Sequence, residues 1–407
     1  MSPKIAIIGG GAAGLMAAIT AARGGGDVTL YEHNASVGKK ILASGNGRCN
    51  IINTTAAADD YFGTDPYFTT YALAQLPFSD FINFCHSIGL LLDIKDDGRC
   101  YPLSNEAKAV LYALSSAAKD AGVKILTDKK VTMLSKDYES FIIHMDNEKK
   151  SYDKVLIATG SEAAPQLGAS DDGYRFASAF GHKILPTYPS LVQLHLNSKI
   201  HHKMAGVKTF AEVTLYINNK EVEKVQGDIL FASYGISGLA ILDISQKASL
   251  SLLNSHSVTI SLNLLPRFSQ QELSEIIHKL FISVPNYSLE TVLGGLIPSK
   301  TVPYICEGAV IDSGKKLSKL SPKEISKLIC LIQDWTFEVN GTHGFKHAEV
   351  SGGGVATADV NSKTMESNLI NGLYFAGEVL DIVGRRGGYN FNFAWASGII
   401  AGKEMVK

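Results

Sequence analysis

The first thirty residues constrain the fold of this chain more than any other part of its sequence. An apolar run at 4–8 is followed by a glycine turn and a small-residue helix, and the next apolar run ends in Glu32. Gly9 allows a tight turn, Gly11 lets a phosphate approach the backbone, and Gly14 lets the helix pack closely on the sheet. This order predicts an adenine dinucleotide site, with the pyrophosphate at the helix N-terminus and Glu32 on the adenosine ribose.

The same apolar segment has two alternative interpretations, a secretory signal and a membrane span. Its central glycines would break such a helix, and Arg23, followed by three more glycines, indicates a surface turn. No other apolar run approaches the roughly 20 residues that a span requires. We therefore expect a cytoplasmic chain without a membrane span.

Composition agrees with an enzyme of two or three domains. The chain has 407 residues and a net charge of −1, which argues against a surface built as a whole for nucleic acid or membranes, although a local patch remains open. Its five cysteines are scattered, with no close pair. This pattern predicts reduced thiols and neither structural disulfides nor a metal site.

The stretch 37–50 follows directly after Glu32 and is too glycine-rich for a regular helix, so we expect a loop along the cofactor. Two lysines can neutralise phosphate, two glycines permit close approach to a flat ring, and an arginine and an asparagine supply donors at the ring edge. The two lysines are Lys39 and Lys40, the two glycines are Gly45 and Gly47, and the donors at the ring edge are Arg48 and Asn50. An ordinary connecting turn, the alternative, would not need so many special residues.

Several long motifs resemble those of a known family: 38–42 with 44–50, then 231–242, and 372–381 with 387–390. From residue 4 to about 402 the chain resembles the HI0933/YhiN-like (BaiN/RdsA-type) bacterial flavoproteins. The resemblance implies tightly bound FAD rather than NAD. It also implies an α/β fold in which a β-barrel-like domain and a small helical domain are inserted into a discontinuous, Rossmann-like FAD-binding domain.

Two later segments support that fold. Residues 153–160 form an apolar strand that ends in a small-residue turn, and 373–381 form a late strand with acids at Glu378 and Asp381. One of these acids would reach the ribityl chain of the flavin. A buried helix from about residue 391 would direct its N-terminal amides at the flavin ring.

Between these segments the composition changes from alternating, strand-like stretches to a helical pattern. Ser269 with Glu272 and Ser321 with Glu324 are the N-terminal signals of two of the helices. We predict an FAD-binding domain at 1–185 and 351–407, a β-rich domain at 186–265 with a return at 335–350, and a helical domain at 266–334.

The residues expected to hold the cofactor come from all of these motifs and from the segment before residue 153. They are Gly9, Gly11, Ala13, Gly14, Glu32, His33, Lys39, Lys40, Gly45, Gly47, Arg48, Asn50, Val131, Ala158, Thr159, Gly160, Gly377, Glu378, Asp381, Gly388, Tyr389 and Asn390.

The sequence lacks the features of a flavin disulfide reductase. Cys49 has no partner cysteine in its loop, and the glycine cluster at 351–357 lacks the third glycine of a second dinucleotide motif. NAD(P)H would therefore bind transiently at the flavin face. We predict an FAD-dependent oxidoreductase that takes hydride from NAD(P)H and reduces a conjugated C=C bond.

The resemblance implies three substrate classes: uridine in ribosomal RNA, giving dihydrouridine, a small steroid-like enone, and, in the oxidase direction, a small amine such as aminoacetone. The segment 312–327 carries five lysines against two acids, and 201–203 with Lys208 adds a second basic spot. A solvated helix face is the more usual explanation of such lysines, but the first patch lies in an inserted domain, which favours a macromolecular substrate over a metabolite. A flavin-bound protein without catalytic activity is the remaining alternative.

Three residues are candidates for catalysis. Cys49 stands beside Arg48, a position that can lower a thiol pKa, although a thiol packed under the flavin is the equal alternative. Arg48 can position the flavin or an anionic substrate, since guanidinium does not deprotonate. Tyr389 is a candidate proton donor, against the usual structural role of a tyrosine.

Overall fold

A computed structural model describes residues 2–198 and 200–407 of the chain. The chain divides into two compact units. The Rossmann unit comprises the chain up to Tyr188 together with Glu349–Lys407, and the barrel unit comprises Pro189–Ala348. The first unit is therefore built from two separate stretches of sequence.

The strands are, in chain order, β1 (Lys4–Ile8), β2 (Asp27–Tyr31), β3 (Ile52–Asn53), β4 (Tyr61–Phe62), β5 (Leu92–Ile94), β6 (Arg99–Pro102), β7 (Lys124–Leu126), β8 (Met133–Asp137), β9 (Ser140–His144), β10 (Lys149–Tyr152), β11 (Lys154–Ile157), β12 (Ile184–Ser190), β13 (Leu194–Leu196), β14 (Lys208–Ile217), β15 (Lys220–Ala232), β16 (Gly235–Ser237), β17 (Val258–Asn263), β18 (Trp335–Thr342), β19 (Val350–Val355), β20 (Leu373–Phe375) and β21 (Val383–Gly384).

The α-helices are α1 (Ala12–Arg23), α2 (Lys39–Ala43), α3 (Thr69–Ala74), α4 (Phe78–Ser87), α5 (Ala107–Asp120), α6 (Asp172–Ala179), α7 (Leu239–Leu253), α8 (Gln270–Ser283), α9 (Leu289–Leu293), α10 (Val302–Ala309), α11 (Pro322–Gln333) and α12 (Tyr389–Glu404). None of the helices in the described residues is long and apolar enough to cross a membrane.

The core of the Rossmann unit is a parallel five-stranded sheet in the order β20-β11-β1-β2-β7. Strand β1 lies between β2 and β11, and all but its first residue are buried, as expected for a central strand covered on both faces. Because the strands are parallel, their carboxyl ends share one edge. The next strand of this sheet along the chain, β2, lies on one side of β1, and the later strands β11 and β20 lie on the other side. Such a switch point is where α/β sheets bind ligands.

The barrel unit contains a closed barrel of six strands in the order β13-β16-β15-β14-β17-β18. Helix α7 and the helices α8–α11 bury apolar side chains in the same hydrophobic core as the barrel strands. Both predicted helix N-termini are confirmed, and both are capping boxes, since Ser269 and Ser321 accept hydrogen bonds from the backbone N–H groups of Glu272 and Glu324.

The predicted fold class, a Rossmann-like α/β domain with an inserted barrel and helices, is confirmed. The domain limits at 185, 265, 334 and 350 stay predictions. In the structure the segment 266–334 shares its core with the barrel, so it lies in one compact unit with the strands around it.

Candidate functional site

The glycine turn between β1 and α1 is fixed by close backbone packing. Gly9 has a φ of 108° and donates its N–H to the carbonyl of Tyr31 at 2.8 Å. A side-chain carbon at Gly14 would overlap the carbonyl oxygen of Gly9. Gly11 differs from both, because a carbon added there would meet no atom within 4 Å. The backbone at Gly11 is therefore open to a phosphate at the start of α1.

Glu32 lies immediately after β2 and is only 6% exposed. Its Oε2 accepts the N–H of Gly10 at 2.9 Å, and its Oε1 accepts the N–H of Asn34 at 2.8 Å. His33 lies beside this carboxylate, with Nδ1 3.6 Å from Oε1. Oε1 also accepts from Asn34 Nδ2 at 2.7 Å. The carboxylate is held against the glycine turn, and its Oε2 keeps a further lone pair for a hydroxyl of a ribose.

The stretch 37–50 is partly helical, in contrast to the expected loop. Helix α2 covers Lys39–Ala43, and the backbone then becomes left-handed, with φ of 56° at Gly45 and Asn46 and 82° at Gly47. Cys49 also has a positive φ, 58°. Such backbone is unfavourable for Asn46 and Cys49, and residues of this kind are concentrated at functional sites.

Glu378 is the centre of a polar network at the carboxyl edge of the sheet. Its Oε2 accepts a hydrogen bond from Lys40 Nζ at 2.7 Å, and its Oε1 accepts from Ser161 Oγ at 2.7 Å and from Ser351 N at 2.9 Å. Lys39 Nζ donates to Asn34 Oδ1 at 2.7 Å. One carboxylate thereby joins α2, the turn after β11, and β19.

Asp381 links two other segments. Its Oδ2 accepts from the N–H and hydroxyl of Thr64 at 2.8 and 2.7 Å, and its Oδ1 accepts from Gly353 N at 3.1 Å. Burial raises the pKa of this carboxyl, and the hydrogen bonds from Thr64 and Gly353 oppose the rise. The contacts show a carboxylate that fastens the chain after β4 to β19.

The N-terminus of α12 is joined to the residues that follow the left-handed turn. Asn53 donates to the carbonyl of Gly387 at 3.0 Å, and Trp395 Nε1 donates to the carbonyl of Ile51 at 2.6 Å. Gly388 has a φ of 99°, and a side chain there would collide with Ile52. Asn390 is held by Gly384, whose N–H it accepts at 2.8 Å.

The three predicted catalytic residues lie in different environments. Arg48 is exposed, with its guanidinium 5.5 Å from the centre of the Tyr101 ring. Tyr389 is partly exposed and is the first residue of α12. Cys49 is fully buried, and burial raises the pKa of its thiol to about 12. These properties favour a packing role for Cys49 over that of a thiolate nucleophile.

The remaining predicted cofactor residues follow the same sheet edge. A side-chain carbon at Gly9 would meet the backbone of Ala158 and Thr159, and one at Gly377 would come within 2.9 Å of the Ala13 Cβ. Val131 is buried in the segment after β7. These residues pack the edge closely, so only small side chains fit at most of them.

Two observations show that this edge fits a bound dinucleotide. Asn50 Oδ1 and Thr159 Oγ1 are buried oxygens without a hydrogen-bond partner among the described residues. Gly160, with a φ of 75°, resembles Gly11 in having open space around it. Buried polar atoms normally find a partner, and the ribityl and pyrophosphate groups of FAD would supply one.

The sequence did not identify the side chains that form hydrogen bonds with the predicted site residues and fix their positions. Asn34, Asn53, Thr64 and Ser161 lie outside the predicted set. Ser351 begins the glycine cluster at 351–357, but its contact with Glu378 depends on the pairing of distant segments. In the described residues, no group of three or more His, Cys, Asp or Glu side chains is arranged to hold a metal ion.

Comparison with known proteins places this geometry in context. The model of the HI0933-like protein Rossmann domain matches residues 3–404. A 3-dehydro-bile acid delta(4,6)-reductase from Clostridium scindens is 35% identical over 99% of both chains. A ribosomal RNA dihydrouridine synthase from Haemophilus influenzae is 32% identical over 96% of this chain and 95% of that protein.

The fold is also found in solved structures. The 3-ketosteroid delta1-dehydrogenase from Sterolibacterium denitrificans matches with a TM-score of 0.53 and 11% identity, over 100% of this chain and 99% of that one. At this identity the match concerns the fold alone.

Proposed function

Because this chain belongs to the HI0933-like family and is an FAD-dependent oxidoreductase, we propose that it uses NAD(P)H to reduce a C=C bond conjugated to a carbonyl group. The observation that carries this proposal is the 35% identity to a delta(4,6)-reductase over 99% of both chains. The dihydrouridine synthases at 32% identity support the same chemistry. The C5=C6 bond of uracil is conjugated to the C4 carbonyl, as the double bonds of a 3-keto steroid are to its ketone.

The reaction needs a hydride at the carbon remote from the carbonyl and a proton at the carbon next to it. FAD, when bound, accepts hydride from NAD(P)H and passes it to the acceptor. The chain must then hold the carbonyl oxygen, where negative charge develops, and supply the proton. NAD(P)⁺ and the saturated carbonyl compound are the products.

Arg48 and Tyr389 are the residues that we propose for these two tasks. Arg48 is exposed and permanently charged, so it can donate hydrogen bonds to the acceptor carbonyl. Tyr389 carries a phenolic proton at the start of α12, and its backbone carbonyl is fixed by the hydroxyl of Tyr61 at 2.9 Å. Cys49 is unsuited to either task because its thiol is fully buried.

The lysine patch at 312–327 gives less support for RNA than the sequence implied. Lys315 forms an ion pair with Glu324 at 2.7 Å, and Lys327 Nζ donates to the carbonyl of Ala309 at 3.3 Å. Lys208 is paired in the same way with Asp228 at 2.7 Å. Several of these lysines therefore support local structure. A cytoplasmic location stays a prediction, supported by the five free cysteines.

The test separates the two halves of the reaction. The purified yellow protein is mixed with NADPH or NADH without oxygen, and the flavin band near roughly 450 nm is followed. We expect rapid bleaching, followed by reoxidation when an enone or a uridine-containing RNA is added. Bleaching only by a small amine would show an oxidase instead, and a protein with no affinity for FAD would contradict the proposal.

Two variants test the assigned residues. Arg48→Met and Tyr389→Phe should leave flavin reduction within about twofold and slow reoxidation by the acceptor by about 10²-fold, the usual contribution of one acid or one carbonyl donor. Tyr112→Phe is the matched control, since Tyr112 is 68% exposed on α5. Unchanged reoxidation in both variants would remove Arg48 and Tyr389 from the mechanism.

A further inference from the structure

One buried tyrosine hydroxyl in the Rossmann unit is left unused by the residues around it. Tyr174 lies in the first turn of α6 and is 6% exposed. Its hydroxyl oxygen is buried and has no hydrogen-bond partner among the described residues. Buried polar groups are normally paired, because an unpaired one costs free energy on folding. The hydroxyl is therefore a candidate binding group for a ligand.

Helix α6 begins beside the turn that follows β11. A side-chain carbon at Gly173, the residue before Tyr174, would overlap Thr159 Oγ1. Thr159 Oγ1 is also a buried oxygen without a partner in the described part of the chain. The start of α6 and the turn after β11 thus each carry an unpaired hydroxyl, and both belong to the carboxyl edge of the sheet.

The ring of Tyr174 extends to the segment that carries Glu378 and Asp381. A side-chain carbon at Gly354 of β19 would lie 3.4 Å from the Tyr174 hydroxyl oxygen and 2.7 Å from the carbonyl oxygen of Val379. Val379 stands between Glu378 and Asp381 in the chain. The hydroxyl is therefore close to the two acids that follow β20.

The surroundings of this hydroxyl are acidic. Burial raises the pKa of Tyr174 well above its usual range, and the carboxylates of Glu378, Glu162 and Asp381 raise it further. Lys40 offsets one of these charges through its ion pair with Glu378. The phenol keeps its proton near neutral pH and can donate it in a hydrogen bond. A neutral acceptor fits this position, whereas a phosphate would be repelled by the carboxylates.

We propose that the Tyr174 hydroxyl is a binding group for FAD and donates a hydrogen bond to a hydroxyl of the ribityl chain. The pyrophosphate of FAD is negative and fits the glycine turn before α1, and the adenosine ribose fits Glu32. The ribityl chain is the remaining part of FAD that offers neutral hydroxyl groups. Tyr174 belongs to none of the sequence motifs that predicted the cofactor residues.

A hydroxyl that is used only when FAD is bound has a distinctive mutational effect. Tyr174→Phe removes the hydroxyl and keeps the ring, so the protein without FAD loses no hydrogen bond, while the complex with FAD loses one. A hydroxyl that stabilised the fold would instead lower stability whether or not FAD is bound. The two roles therefore differ in the apoprotein.

The test measures stability and affinity on the full-length protein after removal of FAD. Tyr174→Phe should leave the urea midpoint of the apoprotein unchanged or raise it. FAD binding, measured by titration calorimetry, should weaken about tenfold, or about 1.4 kcal/mol. The affinity for ADP, which has no ribityl chain, should stay within about twofold of the wild-type value.

Tyr152→Phe is the matched control. Tyr152 is another buried tyrosine of the Rossmann unit, but its hydroxyl is hydrogen-bonded to that of Tyr31 at 2.6 Å. This variant should lower the urea midpoint of the apoprotein and leave FAD affinity unchanged. A lower apoprotein midpoint in Tyr174→Phe, an unchanged FAD affinity, or an equal loss of ADP affinity would each overturn the proposal.

The proposal rests on the binding of FAD and is independent of the reductant and the acceptor. Flavin bleaching by NADPH is therefore recorded on the same wild-type samples. A protein that binds FAD with the predicted difference between wild type and Tyr174→Phe supports the role of Tyr174 even when NADPH does not bleach it. That result would count against the proposed reductase alone.

Discussion

Two regions of this protein are built in different ways. At the edge of the Rossmann sheet, the backbone makes the site, since Gly9, Gly14 and Gly388 are required by close contacts or by positive φ. In the barrel unit, aromatic side chains from separate segments pack against one another in what we call the histidine corner: His195, Tyr234, His343 and His347. Changes in the first region should therefore disturb the fold or the cofactor, while changes at the exposed end of the second should disturb only a surface.

The largest effect is expected for Gly14→Ala. The new methyl group would overlap the carbonyl oxygen of Gly9, a backbone atom that cannot move away without disturbing β1 and α1. We expect destabilisation of about 3 kcal/mol or more. Urea unfolding followed by circular dichroism measures it, and a midpoint equal to that of the wild type would contradict the packing argument.

Gly11→Ala changes a glycine of the same turn that, unlike Gly14, has no closely packed neighbour. Gly11 has a φ of −82° and no atom within 4 Å of the added carbon, so the unfolding midpoint should not change. The methyl group would instead occupy the approach of the pyrophosphate, and FAD affinity should fall at least about tenfold, or about 1.4 kcal/mol. Titration of the apoprotein with FAD tests this, with Gly295→Ala in the barrel unit as control.

Glu378→Gln tests whether the site also depends on a partly buried charge. The amide cannot accept from Lys40, Ser161 and Ser351 in the way a carboxylate does, and we expect a loss of stability of about 1–3 kcal/mol. Lys40→Met should cost less, because Lys40 is partly exposed. Thermal melts of both variants show which one loses more stability. A larger loss for Lys40→Met than for Glu378→Gln would contradict the assignment of Glu378 as the centre of the network.

The buried thiols provide a pH test. The pKa of Cys49 is raised by burial to about 12, and those of Cys85 and Cys100 to about 12 and 11. The unfolded thiols ionise near pH 9, so the stability present below pH 9 should decline as pH rises toward 12. Cys49→Ala should weaken this decline between pH 9 and 11 in urea unfolding.

In the native protein near pH 8, iodoacetamide should label Cys330 quickly, because it is the exposed cysteine of the five. Cys49, Cys85, Cys100 and Cys306 are buried and should resist. Mass spectrometry of the digested protein shows which thiols reacted. Rapid labelling of Cys49 would restore it as a candidate for catalysis.

The smallest effect on the fold is expected for the histidine corner. His347 is exposed, so His347→Ala should change the free energy of unfolding by less than about 0.5 kcal/mol and leave FAD content unchanged. A larger loss of stability would mean that the histidine corner is a structural element of the barrel. The contrast with Gly14→Ala is the most direct test of the difference between the two regions.

Much of the first site could be predicted because its physics is local. The turn geometry at Gly9 and the close packing at Gly14 follow from a short stretch of sequence, and the structure has both. The flavoprotein oxidoreductase was predicted from the same residues and the family resemblance, and the family match confirms it. The use of NAD(P)H stays a prediction.

Other features depend on partners far away in the chain. Glu378 or Asp381 was expected to contact the ribityl chain, and this stays a prediction. The sequence did not reveal that the Oδ2 of Asp381 accepts hydrogen bonds from Thr64, more than three hundred positions earlier. The lysines at 312–327 suggested a basic patch, yet Lys315 is paired with Glu324. No local pattern reveals such pairings, because they form only when the strands and helices have packed.

By itself, the sequence determined the glycine turn, the acid after β2, the alternation that closes into a barrel, and the caps of the inserted helices. Each depends on the conformational freedom or periodicity of neighbouring residues. Only the tertiary structure decided the network around Glu378 and the stacked rings of His343, Tyr234 and His347. Both depend on the register of strands distant in sequence, which is set by the packing of the whole core.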